Sequence, residues 1–166
     1  MDPGLYVPRD FLWRQQNDLR WSWKKVAVSG KTVADIGCAL MDLNYIHNRF
    51  RQENRLSIIY PDVWIDWINR KAKGAGYRKY LTSGGAVYWN SLDEFSGGRL
   101  INTWDPNDHV RYVLTEYHWG NISHWTTNLN GDIAYNSYPT KLVPIITYRT
   151  NSQWRPTGRK QYYKVA

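Results

Sequence analysis

The spacing of apolar residues changes partway along this chain, and that change limits the fold more than any other feature of the sequence. In GCALMDLNYIHNRF, Leu40, Leu43, Tyr45, Ile46 and Phe50 recur at helical spacing, the pattern of a helix packed by one face. Asp35 or Gly37 lies at or near its cap, which puts Cys38 in the first turn. A second helix is predicted from Pro61, a favoured first helical position, with Val63, Trp64, Trp67 and Ile68 as its apolar stripe and the basic NRKAKGAGY as its end. From Tyr80 onward the runs AVYW, HVRYVLTEYHW and LVPIITYR are short, rich in β-branched and aromatic residues, and bounded by Gly, Pro and Asn. HWTTNL and DIAYN flank Asn130-Gly131, a pair that favours a tight hairpin turn. Helices first and antiparallel strands afterwards predict an α+β domain, its helical N-terminal half packed on a C-terminal sheet.

With 166 residues and no internal repeat or linker, the chain reads as one domain spanning 1–166, with an N-terminal arm over 1–15 and a C-terminal tail over 151–166. Apolar residues at 42% and charged residues at 22% exclude a disordered chain. No apolar run approaches the length of a membrane span, and MDPGLYVPRDFLW lacks the features of a signal peptide. The expectation is a protein made in the cytoplasm. One cysteine excludes an intrachain disulfide and a cysteine-based zinc site. Cys38 is therefore either a packing group or a reactive thiol.

A thiol at the amino end of a helix feels the positive end of the helix dipole, which favours the nucleophilic thiolate; a small buried hydrophobe is the plain alternative. A cysteine hydrolase further requires a histidine base, a group that orients the histidine, and donors for the oxyanion. Of four histidines, His47 lies too far along the Cys38 helix and reads as surface or structural, and His109 sits in the polar turn DPNDH. His118 and His124 remain. Counting back from a two-residue turn at Asn130-Gly131 sets His124 opposite Ser137 and Trp125 opposite Asn136, with a slip of one residue leaving either Asn136 or Ser137 as the orienting group.

The segments QNDLRW, GKTVADIGCALMDLNYI, YPDVWIDWIN, AVYW, the HW strand and YNSYP together resemble the papain-like cysteine peptidases related to bacteriocin-processing, double-glycine peptidases, over roughly residues 14–150. The resemblance implies a papain-like fold that needs no metal or other cofactor. It makes Cys38 the nucleophile, His124 the general base and acid, Asn136 the orienting residue, and Gln16 the oxyanion donor together with the Cys38 backbone N–H. YNSYP departs from the Asn-Asp-Pro usual in that family at the third of these positions.

The net charge of +8 comes from scattered Lys and Arg in short stretches with no nucleic-acid motif, so nucleic acid is not the expected partner. Ten Trp and 13 Tyr present rings with a polar handle, and glycan rings stack on such faces. Trp64, Trp67 and Trp89 read as core; Trp13, Trp21, Trp23, Trp119, Trp125 and Trp154 read as freer, with Trp21, Trp119 and Trp125 as candidate substrate-binding residues. Two function classes follow. One is a phage or bacterial hydrolase cutting an amide of peptidoglycan, released to the cell wall. The other is a virion component, tail or capsid-associated, that keeps the fold among other virion proteins.

Overall fold

The computed structural model describes residues 18–27, 29–75, 79–129, 132–135, 137 and 154–166. Helix α1 (Val33–Ile36) is a single turn started by a capping box, in which the Asp35 carboxylate accepts from the Thr32 backbone N–H at 2.8 Å and the Thr32 hydroxyl at 2.9 Å. Gly37 then joins α1 directly to α2 (Cys38–Glu53). A Cβ at Gly37 would lie 2.4 Å from the Val33 carbonyl oxygen, so only glycine lets one helix follow the other so closely. That junction places Cys38 at the first position of the longer helix.

Helix α2 is buried on all sides from Leu40 to Phe50, polar residues included. Helix α3 (Pro61–Ala75) covers one side with Trp64, Ile65, Ile68 and Ala72, and the Trp64 indole N–H donates to the Leu40 carbonyl at 2.9 Å. The loop between them is held by α2: Asn44 and Asn48 donate to the Ile59 carbonyl at 3.1 and 2.7 Å, and the Ile59 N–H returns a bond to Asn48 at 2.7 Å. Short helix α4 (Asn90–Phe95) packs Phe95 against Trp64, Trp67 and His47. Both long helices begin where the apolar periodicity begins.

The other side of α2 meets an antiparallel sheet of β1 (Leu100–Thr103), β2 (Tyr112–Trp119), β3 (Ile122–Leu129), β4 (Asp132–Tyr135) and β5 (Arg155–Val165), in the order β1-β5-β2-β3-β4. The chain is thus α+β, helices first. Three expectations change. Residues 155–165, expected as a tail, form the strand between β1 and β2, because Gln161 and Tyr163 alternate into the interior while Tyr162 and Tyr163 pair on both sides. AVYW contributes one isolated bridge, Leu81 to Val87, since the Thr82–Ala86 turn closes too tightly around Gly84-Gly85 for a strand to extend. The β3–β4 hairpin forms, but a register shift between Thr127 and Asn128 advances the pairing by one, so Thr127 faces Tyr135 and a count from the turn no longer sets His124 against Ser137. The arm over 1–15 and the run LVPIITYR lie outside the described residues.

The position of β5 carries a prediction. Truncation after Gln153 removes the strand that joins β1 to β2, and the truncated chain is expected to lose cooperative urea unfolding, followed by circular dichroism. A sharp transition at the full-length midpoint would show that residues 154–166 are the dispensable tail first expected.

Candidate active site

A cavity of about 410 Å³ opens where the start of α2, the Gly84–Val87 segment and strand β3 converge, and both Cys38 and His124 line it. Its near wall is made by Asp35, Ile36, Cys38 and Ala39, and its far wall by Gly84 and Gly85. Gly85 has φ +87°, and a Cβ there would lie 2.3 Å from Ile36 Cδ1; glycine is what allows this wall to approach the helix start. Trp89 and Trp125 meet edge to face at 5.0 Å beside the cavity, and the Arg159 guanidinium lies 5.7 Å from the Trp125 ring centre.

Cys38 keeps some accessible surface as a residue, yet its sulfur is desolvated. Burial pushes the thiol up to about 11; a hydrogen bond with the Trp125 backbone works against this, and the Asp42 carboxyl adds to it. Desolvation therefore outweighs the helix dipole, and the resting sulfur is a neutral thiol at physiological pH.

His124 is buried, with 2% of its surface exposed. The β2–β3 ladder is regular from Val113 to Trp119, so His124 shares a face with Tyr117, while Trp125 shares the other with Glu116. Thr127, on the Trp125 face, donates its hydroxyl to Asp42 of α2 at 2.9 Å, which identifies that face as the helix side. The His124 ring thus turns to the opposite face, where its centre lies 5.9 Å from that of Trp154. Four consecutive residues of β3, Ile122 to Trp125, line the cavity although their side chains alternate, and Cys38 lines it from the start of α2.

Comparison with protein-family models, curated proteins and solved structures finds no match to this chain.

Several other expected site residues fall into place differently. Gln16 and Asn136 lie outside the described residues. Trp21 does not line the cavity: it is fully buried in the core with Val26 and Val33, drawn in because the short 18–23 turn folds back under α1. Trp154 is likewise buried rather than free, lying against Trp119 and His124. Trp125 does line the cavity. Trp119 is 40% exposed at the end of the β2–β3 hairpin, away from the cavity lining. His47 is structural, packed edge-on to Phe95 at 5.0 Å, and burial holds its imidazole down to about 4. His118 is half exposed and lies 3.6 Å from Glu116, while His109 sits exposed in its loop.

Glu116, Ser123 and Arg159 line the cavity without any motif to announce them. Burial works to raise the Glu116 carboxyl, but hydrogen bonds from Ser123 at 2.6 Å and Thr157 at 2.9 Å, with the Arg159 charge at 3.3 Å, hold it below its ordinary range. The Gly84-Gly85 pair was the one local signal of this wall, since adjacent glycines mark a close backbone approach. Among the described residues no group of three or more His, Cys, Asp or Glu is arranged to hold a metal ion.

The thiol's setting predicts its reactivity. With its titration raised from about 9 to about 11, Cys38 should be alkylated by iodoacetamide at pH 8 on the order of a hundredfold more slowly than an unperturbed thiol, the rate climbing until the pH passes the folded-state value. Mass-spectrometric time courses from pH 6 to 11 measure this. A rate plateau at neutral pH would instead reveal a preformed thiolate.

Proposed function

We propose that the chain is a cysteine hydrolase of papain-like design that cleaves an amide bond in a peptide or in peptidoglycan. The observation that carries this reading is the convergence of Cys38, at the head of a long buried helix, and His124, on an antiparallel strand, on one cavity. The two residues lie 86 positions apart in the chain and are the pair that the resemblance implies as nucleophile and base. In this reading the substrate carbonyl enters the cavity between the start of α2 and β3. On this reading the His124 ring leaves Trp154 for the cavity that His124 and Cys38 both line. There it takes the Cys38 proton as the sulfur attacks the carbonyl carbon, because the resting thiol is neutral and no ion pair is waiting. The tetrahedral oxyanion is held by the Cys38 backbone N–H and by Gln16, and Asn136 orients the imidazole. His124 then protonates the leaving amine, and water hydrolyses the thioester.

Peptidoglycan suits the surroundings of the cavity. Residues 155–160 are exposed and include Arg155, Arg159 and Lys160, of which Arg159 lines the cavity, a basic surface for an anionic wall polymer, and Trp125 contributes aromatic surface to the lining. No described helix is long and apolar enough to cross a membrane. On this reading a phage or bacterial enzyme reaches the wall by release or as part of a virion.

A second reading is favoured by the desolvated thiol and by the turn of His124 toward Trp154: a virion component, tail or capsid-associated, that keeps the fold and uses Cys38 only for packing. Clearing of bacterial cell walls in a zymogram separates the two. Cys38→Ala is expected to lose clearing by at least about a thousandfold, the scale on which removal of a nucleophile acts, while melting close to the unaltered chain. Equal clearing by both proteins would sink the hydrolase, and no clearing by either together with incorporation into particles would establish the second reading.

A further inference from the structure

Asp42 is the one carboxyl on α2 with no exposed surface, and nothing in the hydrolytic scheme uses it. It follows Cys38 by one helical turn, so the two side chains lie on the same face of α2. On β3, Trp125 and Thr127 are also neighbours on one face, and they are the residues that meet Cys38 and Asp42 respectively. The match is metrical. Four residues of helix rise about 6.0 Å and two residues of strand about 6.8 Å, so helix and strand run alongside in step for this one turn. The Thr127 hydroxyl bonds Asp42 Oδ1 at 2.9 Å, and Asp42 Oδ2 is buried with no partner among the described residues. A buried carboxyl with one oxygen unsatisfied costs stability, and an apolar residue would fill the place without that cost.

We propose that Asp42 is a positioning residue for the thiol chemistry: it ties β3 to α2 one turn below Cys38 and sets the charge that the sulfur meets. The Asp42 carboxyl itself is held well above its ordinary range, by burial against which the Thr127 bonds act, and its charge when present opposes ionisation of Cys38. Cys38 and Asp42 are thus a coupled pair, in which loss of one proton hinders loss of the other. Among the described residues, the titratable groups around the pair are Tyr45 on α2 itself, Tyr135 of β4 stacked on Tyr45 at 4.6 Å, Asp35 of α1, His124 of β3, and Glu116 of β2 with Arg159 of β5 across the cavity. The charge that pushes the Cys38 thiol up is that of Asp42, and neither Asp35 nor Glu116 adds to it.

The inference rests on reading Cys38 as the reactive group, but its test reads alkylation rather than hydrolysis, so a chain that cleaves nothing still decides it. Asp42→Asn keeps an oxygen for Thr127 and removes the charge. Its iodoacetamide profile between pH 8 and 10 is expected to run about three- to tenfold faster than that of the unaltered chain, a shift of roughly half to one pH unit. Thr127→Ser, which keeps the hydroxyl, is expected to leave the profile unchanged. Superimposable profiles for Asp42→Asn and the unaltered chain would overturn the proposal. If Asp42→Asn does not fold, Asp42→Ser, which also removes the charge, serves instead: the same acceleration is expected of it, and a profile superimposable on that of the unaltered chain overturns the proposal equally.

Discussion

A helix buried on all sides from Leu40 to Phe50 that carries Asp42, Asn44, His47, Asn48 and Arg49 must find partners for its polar groups where water is absent. The rest of the structure follows from how it does so. Asn44 and Asn48 capture the Ile59 backbone and so fix where the chain turns into α3; the Leu40 carbonyl receives the Trp64 indole and so fixes how α3 lies across α2. Asp42 takes the Thr127 hydroxyl and thereby holds β3 against the helix start. Each bond links α2 to a different layer, which is why a helix with little amphipathic contrast serves as the central element of the fold.

Function, on the proposed reading, depends on the same contacts. The thiol stands at the head of the buried helix, and the strand that Asp42 holds brings His124 to the same cavity. Two effects on the sulfur oppose each other. The helix terminus and the Trp125 backbone favour charge, while desolvation and Asp42 oppose it, and desolvation is the larger. A site of this kind holds a thiol that resists adventitious alkylation and ionises only as its proton is taken, in contrast to a standing thiolate–imidazolium pair.

Much of the fold was legible in the sequence where a residue's own neighbours dictate its conformation. Pro61 and the apolar stripe that follows it, Gly37 before Cys38, and the alternation on either side of Asn130-Gly131 are local signals, and the elements they predict are present. Misreadings arose where long-range pairing decides. Residues 155–165 look polar over most of their length, and their place between β1 and β2 depends on partner strands about 40 and 60 residues earlier. The shift between Thr127 and Asn128 is invisible in an alternating pattern, yet it moves the register by one and every opposing pair beyond it. Trp21 and Trp154 could not be sorted into buried or exposed from sequence, because an isolated tryptophan in a loop carries no periodicity.

The candidate site divides along the same line. Sequence alone determined that one thiol exists, that it opens a helix, and that a histidine occupies an alternating strand, because these depend on composition and on spacing over a few residues. Tertiary structure decided the rest. It brought Cys38 and His124 to one cavity, stripped the thiol of water, and added Glu116, Arg159 and Asp42, which no motif marks. The reason is physical. Desolvation and charge act through space: Asp42 one turn along α2 and the Trp125 backbone of β3 act on a Cys38 thiol that loses its water only once the sheet has closed against α2.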